Sequence, residues 1–159
     1  MPITPFHFGL GAALHGAAPR QLSFLAFCAA NVLIDVESVW NLLQGRHPVH
    51  AFFHSYLGAT LVALLTAGLG WLWLRWRRRA GRAAPPREAR AVTVGALLGA
   101  WSHVMLDSVM HADIRPLAPF SEANGLYQWM PLPELHLLLL GLGVLGGLAV
   151  WLRRLHTGE

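Results

Sequence analysis

Long apolar stretches separated by short polar segments dominate the chain and predict membrane-spanning helices. The clearest stretch, Ser55 to Leu74, holds about 20 uncharged residues and would extend about 30 Å as a helix, enough to cross a bilayer. A shorter apolar stretch, Phe6 to Ala18, follows Thr4-Pro5 and predicts a short N-terminal helix. Three further spans are predicted at about residues 21–43, 90–110 and 135–152. The fold class is therefore all-α: an integral membrane bundle of about five helices, four of them spanning.

The composition agrees with this class. Hydrophobic residues make up 55% of the 159 positions and charged residues only 13%, which is too apolar for an ordinary soluble domain. We expect residues 1–159 to form a single membrane-embedded domain. The one cysteine, Cys28, lies in an apolar run, which excludes an internal disulfide and a cysteine-built zinc site.

The distribution of arginine predicts the orientation in the membrane. Seven of the twelve basic residues lie between Arg75 and Arg90, and the chain has no lysine. By the positive-inside rule the loop at about 76–90 is cytoplasmic, and so is the C-terminus after Arg153-Arg154. The proline-bearing loop at about 112–134 is then extracytoplasmic. We expect a multi-pass protein of a bacterial-type inner (plasma) membrane, in contact with its lipids and without a nucleic-acid partner.

Three metal-capable side chains recur four residues apart at the end of the fourth predicted span. On a helix His103, Asp107 and His111 would rise about 6 Å per step and drift by only about 40°, so they form one stripe. A carboxylate inside a membrane span is costly and indicates a functional role. The stripe therefore predicts a metal site.

Other polar residues interrupt the predicted spans at the same membrane face. Asp35 and Glu37 come late in an outward helix, whereas His50 and His54 open the inward helix that follows. If the first helix enters from that face, His7 lies there as well. Independent placements thus converge on one extracytoplasmic site, and the predicted metal ligands are His7, Asp35, His50, His54, His103, Asp107 and His111.

Imidazole and carboxylate ligands together suit zinc and similar divalent ions. The candidate ligands outnumber those of one tetrahedral ion, so two or more ions are expected. Asn31, Ser55, Ser102 and Asp113 are candidates to orient the ligating rings. Glu37 and Asp113 are the candidates for a catalytic role.

With His103-x3-Asp107-x3-His111, the chain resembles the membrane-bound metal-dependent hydrolase family, which is similar to zinc-dependent phospholipase C and the zinc single-strand nucleases. The likeness extends to Thr4–Gly9, Ile34–Glu37, Phe53–Ser55 and Pro116–Pro119. It implies an inner-membrane protein with a divalent-metal site and hydrolase activity. The ligands that it implies are His7, Asp35, His54, His103 and Asp107.

The chain departs from the family pattern in its second and third motifs. Glu37 stands where the family has a second aspartate, and Ser38 stands where it has histidine. His50 precedes His54 by four residues instead of five. Either His47 or His50 would supply the missing ligand.

We therefore expect a membrane-embedded hydrolase that uses metal-activated water. Its expected substrate is a phosphoester of a lipid or lipid-linked amphiphile, because the predicted ligands lie near the headgroup level. A non-catalytic membrane protein with a structural metal site would use the same ligands and remains an alternative. A metal transporter is less favoured, because its ionisable groups would line a path through the bilayer. The sequence does not define the oligomeric state.

Overall fold

The computed structural model describes residues 4–82 and 86–157, and over these residues it forms a bundle of α-helices without a strand. The helices are α1 (His7–Ala17), α2 (Phe24–Leu43), α3 (Tyr56–Arg79), α4 (Pro86–Met110) and α5 (Leu132–Thr157), with 3₁₀ turns at Thr4–Phe6 and Phe52–His54. Four of them, α2 to α5, are long and apolar enough to cross a membrane. The predicted all-α membrane bundle with four spans and a short first helix is confirmed.

Several helices extend further than the hydrophobic pattern predicts. Helix α3 continues through its arginines to Arg79 and α4 begins at Pro86, so both reach into the basic loop predicted at about 76–90. Arginine is a good helix former, and proline is favoured at a first helical position. Residues 83–85 of that predicted loop lie outside the described residues. Helix α5 likewise begins at Leu132, inside the loop predicted at about 112–134.

The segment that carries His50 and His54 corrects one prediction. Both histidines precede α3 instead of lying within it, because the helix begins at Tyr56. Ser55 has an extended backbone, and its side-chain oxygen accepts a hydrogen bond from the N–H of Gly58 at 3.0 Å. This is an N-cap, which satisfies a backbone donor of the first turn and fixes where the helix starts.

Helices α2, α3 and α4 form the main core through small side chains. The buried residues between them include Ala30, Ala59, Ala63, Ala96 and Ala100. Small residues let helix backbones approach closely, which is how helices associate inside a membrane. A Cβ atom at Gly99 would lie 2.5 Å from the carbonyl oxygen of Phe27, so α4 contacts the backbone of α2 there.

Helices α1 and α5 pack together beside this core. Here too glycines permit the contact, since a Cβ atom at Gly16 would lie 2.8 Å from the carbonyl oxygen of Gly146. Leu106 and Val109 of α4 join Leu135 and Leu139 of α5 in a second apolar cluster. This cluster attaches the α1–α5 pair to the rest of the bundle.

The two ends of the bundle differ in chemistry. At one end, which we call the site end, the backbone N–H of Tyr56 donates to the carbonyl of Pro116 at 2.9 Å and joins the start of α3 to the segment after α4. At the other, the arginine end, the N–H of Ser23 donates to the carbonyl of Ala91 at 2.9 Å. Helix α3 ends there in Arg77–Arg79.

Candidate metal centre

Four buried side chains from three parts of the chain meet at the site end. Asp35 of α2, His54 of the 3₁₀ turn, and His103 and Asp107 of α4 each offer one ligand atom, and these atoms all lie within 4.8 Å of one another. The Nε2 atom of His103 is 3.3 Å from Oδ1 of Asp35 and 3.3 Å from Oδ2 of Asp107. The Nε2 atom of His54 is 3.6 Å and 3.5 Å from the same two oxygens. We call these four residues the inner group.

A second set of three residues shares Asp107 with the inner group. His50, Asp107 and His111 also offer atoms within 4.8 Å of one another, and we call them the outer group. The rings of His50 and His111 lie with their centroids 4.2 Å apart. Both histidines come from connecting segments, since His50 precedes the 3₁₀ turn and His111 follows the last residue of α4.

His7, the first residue of α1, completes the cluster. Its Nε2 atom is 3.0 Å from Oδ1 of Asp107, and its ring stacks on that of His103 with centroids 4.6 Å apart. The structure thus brings all seven predicted ligands into one cluster around the carboxylate of Asp107.

The hydrogen bonds of Asn31 define which nitrogen of His103 faces the cluster. The side-chain amide of Asn31 donates to the carbonyls of Phe27 at 2.9 Å and Gly99 at 3.2 Å, so its oxygen remains as an acceptor. That oxygen lies 3.0 Å from Nδ1 of His103, which must therefore carry the proton. In neutral His103 the Nε2 atom then presents its lone pair to the carboxylates, as a metal ligand does.

Asp113 sets the same arrangement at His50. One oxygen of Asp113 accepts hydrogen bonds from the backbone N–H groups of Val49 and His50, both at 3.1 Å. The other oxygen lies 2.9 Å from Nδ1 of His50. Burial would raise the pKa of the Asp113 carboxyl, but these donors outweigh it and hold the pKa below its ordinary value. As an ionised acceptor, Asp113 accepts a hydrogen bond from Nδ1–H of His50, so Nε2 of His50 faces the cluster without a proton.

The two groups differ in the pKa of the histidines that lie outside the membrane spans, His54 in the inner group and His111 in the outer group. Burial lowers the pKa of His54, but the neighbouring carboxylates of Asp107 and Asp35 outweigh burial and raise it above the ordinary value. For His111, burial and the nearby His50 lower the pKa. The inner group is therefore the more negative surrounding for a cation.

The atoms that face the centre of the cluster are predominantly acceptors. Among the described residues, the buried Nε2 atoms of His50, His54, His103 and His111 have no hydrogen-bond partner, and imidazole nitrogens lie 3.0–3.5 Å from the two oxygens of Asp107. Buried polar atoms normally have partners, and an unpaired one costs about 1–3 kcal/mol. Imidazole nitrogens and carboxylate oxygens that converge in this way can hold a cation, and this donor set fits zinc or a similar divalent ion.

Other polar residues near the cluster have structural partners. The carboxylate of Glu37 accepts the N–H of Phe53 at 2.6 Å and so anchors the 3₁₀ turn, and Glu37 belongs to neither group. Ser55 and Ser102, predicted to orient ligating rings, donate instead to the backbone carbonyls of Phe52 and Gly99. A hydroxyl has little else to satisfy it inside a helical bundle, which explains both departures.

The orienting role of Ser38 was not predicted from the sequence. Its hydroxyl lies 3.4 Å from Nδ1 of His54. The Nδ1 atoms of His50, His54 and His103 therefore each have a hydrogen-bond partner that orients the ring. Ser38 follows Asp35 by three residues on α2, and this spacing is the signal that could have indicated it. His47 is exposed in the turn before His50, and so His50 is the one of these two that joins the cluster.

Fold and cluster together define a multi-pass helical membrane protein with a buried histidine–aspartate site able to hold metal. The chain belongs to the YdjM inner membrane protein family, whose family model matches residues 1–155. The match establishes the inner-membrane part of the expected resemblance. No curated protein and no solved structure matches the chain.

Proposed function

We propose that the protein is a membrane-embedded, metal-dependent hydrolase acting on a phosphoester of a lipid or lipid-linked molecule. The observation that carries this proposal is the buried convergence of imidazole nitrogens and carboxylate oxygens, since the ligand atoms of each group lie within 4.8 Å of one another. A divalent ion held there would polarise a phosphoryl oxygen and bring the pKa of water towards neutrality. Zinc suits the donor set best.

The numbers of ligands in the two groups support different roles. The inner group offers four protein atoms, which complete the tetrahedral shell typical of a structural zinc site. The outer group offers three, which leaves a position for water or substrate, as catalytic sites do. We therefore assign hydrolysis to the outer group and its shared ligand, Asp107.

Several side chains act by positioning these ligands. Asn31 and Asp113 hold the Nδ1 protons of His103 and His50, which keeps their Nε2 atoms available. Glu37 and Asp113 were the candidates for catalytic residues. Their hydrogen bonds to backbone N–H groups favour a positioning role for both.

For the orientation, we propose that the arginine end is cytoplasmic and the site end extracytoplasmic. The positive-inside rule supports this placement, because nine of the twelve arginines lie between Arg75 and Arg90 or at Arg153 and Arg154. The substrate would then be met at the outer interface. Exposed aromatic residues of the segment after α4, Phe120 and Trp129, would lie at headgroup level there.

A structural metal protein is the second candidate, and the complete inner group is the observation that favours it. Transport is disfavoured, because apolar side chains of α2, α3 and α4 form a continuous core between these helices. A pathway for ions would need polar groups through that core.

The test is turnover of dodecyl phosphate by the purified protein in detergent, measured as inorganic phosphate released. We expect zinc-dependent turnover that a chelator abolishes, and that decreases as the pH falls through the imidazole range, because protons compete with metal for histidine. His111→Ala should reduce turnover to background. His15→Ala is the control, since His15 lies outside the cluster and bonds the carbonyl of Leu22.

Two outcomes would decide against hydrolysis. Turnover unchanged by the chelator would contradict the metal mechanism. Full metal content without turnover of the phosphate ester would favour the structural protein.

A further inference from the structure

An apolar groove of about 440 Å³ runs along α3 and ends at an arginine, and we call it the α3 groove. Its lining residues include Leu65, Gly68, Trp71, Leu72 and Arg75, which recur every three or four positions and so share one side of the helix. The four leucines of the lining are each at least 51% exposed. Since α3 is a membrane span, this side of the helix is turned to lipid.

The groove occupies the half of the span that leads to the arginine end. The uncharged stretch Ser55–Leu74 has its centre at Leu64 and Leu65, where the groove begins, and Arg75 follows directly after its last residue. Leu64 and Arg75 are eleven residues apart, which corresponds to about 16 Å along a helix axis. The hydrocarbon of one leaflet is about 15 Å deep, half of the bilayer's 30 Å. A lipid of that leaflet has the same polarity as the groove, with its chains towards the midplane and its headgroup at the arginine.

Two arginines of α3 face this headgroup position without an acidic partner. Arg75 and Arg79 are four residues apart, so Arg79 continues the side of the helix that carries the groove, and both are exposed. Arg77 is engaged elsewhere, because it pairs with Glu88 at 3.5 Å and lies over the ring of Trp73. Over the residues that the structure describes, neither Arg75 nor Arg79 forms an ion pair.

The charge around the end of the groove selects an anionic occupant. Between Arg75 and Arg90 the chain has seven arginines and one acid, Glu88, which is already paired with Arg77. Guanidinium groups form paired, charge-assisted hydrogen bonds with phosphate, and each basic residue near a membrane surface attracts anionic lipid by about 1 kcal/mol. Trp71 stands one turn before Arg75, and its Nε1–H donates to the carbonyl of Ala89 at 3.2 Å, which holds the ring at the wall of the groove.

We propose that the α3 groove is a binding site for an anionic phospholipid of the leaflet at the arginine end. One acyl chain lies along Leu65, Gly68 and Leu72, and the phosphate accepts hydrogen bonds from the guanidinium groups of Arg75 and Arg79. The site is at the opposite end of the bundle from the metal centre, so it depends on neither the metal nor hydrolysis. The lipid is a bound component of the protein and not its substrate.

A second groove of similar size supplies a matched control. It measures about 420 Å³ and lies between α1 and α5, and we call it the α1–α5 groove. Its lining includes Phe8, Gly9, Leu139 and Leu140, and none of its lining residues is charged. It therefore offers a hydrocarbon chain an apolar surface without a partner for a headgroup phosphate.

The experiment is photo-crosslinking of the full chain in phosphatidylcholine vesicles with two phospholipid probes that carry a diazirine on the same acyl chain. One probe is phosphatidylglycerol, which is anionic, and the other is phosphatidylcholine, whose phosphate is balanced by its own cation. Labelled peptides are mapped by mass spectrometry. The anionic probe should label the α3 groove about fivefold more than the neutral probe does, a ratio equal to about 1 kcal/mol in binding. Both probes should label the α1–α5 groove equally.

Paired charge substitutions separate a defined site from general attraction to a basic surface. Arg75→Gln together with Arg79→Gln should abolish the preference for the anionic probe. Arg87→Gln together with Arg90→Gln removes the same charge from exposed positions of α4 at the same end, and should leave the preference within twofold. Each pair leaves five of the seven arginines of this stretch in place.

A matched pair of glycines tests the groove itself. A Cβ atom at Gly68 or at Gly141 of α5 would meet no atom within 4 Å, so a larger side chain fits at either position. Leucine is also the better helix former. Gly68→Leu fills the α3 groove and should lower its labelling by the anionic probe to the level of the neutral probe. Gly141→Leu lies outside both grooves and should change neither, with helical circular dichroism unchanged in both variants.

The other outcomes would overturn the proposal. Equal labelling of the α3 groove by both probes would mean bulk lipid only. A preference that survives loss of Arg75 and Arg79, or that falls as much on loss of Arg87 and Arg90, would mean general attraction to the basic surface. Crosslinks from α3 to a second copy of the chain would make this side a protein interface. In each case the proposed function stands, because the metal centre takes no part in this site.

Discussion

The inner and outer groups use the same residue types and share Asp107, yet they are built differently. The inner group takes Asp35, His103 and Asp107 from two membrane-spanning helices and His54 from the turn before α3, and three of its four members are fully buried. The outer group takes His50 and His111 from connecting segments, and His111 is only half-buried. Four candidate ligands, three of them on helices, thus lie beside a set of three of which two are on connecting segments.

If the proposed function holds, we expect the two groups to have different roles, one structural and one catalytic. Ligands on packed helices keep their geometry, which suits an ion that joins α2, α4 and the turn before α3. Loop-borne ligands with a free position allow water and substrate to approach, as in catalytic zinc sites. Asp107 lies in both groups and so couples them.

Replacing Asp107 should have the largest effect, because this change removes a ligand from both groups. We expect Asp107→Asn to lose zinc from both, measured as zinc per protein by elemental analysis after dialysis, and to lose turnover. Glu134→Gln is the matched control, since Glu134 is an exposed acid in the first turn of α5. Zinc content equal to that of the unsubstituted protein would remove Asp107 from its central role.

Single substitutions in each group should separate the two roles. His111→Ala should remove one of two ions and turnover but keep the thermal unfolding temperature within a few degrees. His54→Ala should lower the unfolding temperature in excess zinc by more, because an ion at 1,000 times its Kd stabilises by about 4 kcal/mol. The same unfolding temperature in both variants would contradict these different roles.

Removing an orienting partner should have a smaller effect. Asn31→Ala frees the ring of His103 and Asp113→Asn weakens the bond to His50, and either change should weaken zinc binding about 10- to 100-fold. The measurement is competition with a chromophoric chelator. Asn31→Ala should weaken zinc binding in the inner group, and Asp113→Asn should weaken it in the outer group. If either change lowers the zinc affinity of both groups, the two groups are not separate sites.

The sequence predicts the helical part of the site well. The four-residue spacing of His103 and Asp107, and the position of Asp35 late in a span, follow from helix periodicity and the cost of a buried carboxylate. Helix directions then place these residues at one end. The prediction of convergence needs no knowledge of packing beyond this.

The sequence also predicts that His50 and His54 belong to the site, but it does not predict that they precede α3. Apolar residues around His50 and His54 extend the hydrophobic pattern of α3, so the helix start at Ser55 is hidden unless its capping role is recognised. Contacts such as Ser38 with His54 depend on how closely α2 approaches the turn. That distance is set by the small side chains of the core, which periodicity does not encode.

The central claim is most directly tested by X-ray diffraction from zinc-loaded crystals at the zinc absorption edge. We expect an anomalous peak about 2.0–2.2 Å from Nε2 of His54 and His103 and from the carboxylates of Asp35 and Asp107. A weaker second peak is expected between His50, Asp107 and His111. Imidazolium–carboxylate hydrogen bonds at these positions without an anomalous peak would contradict it.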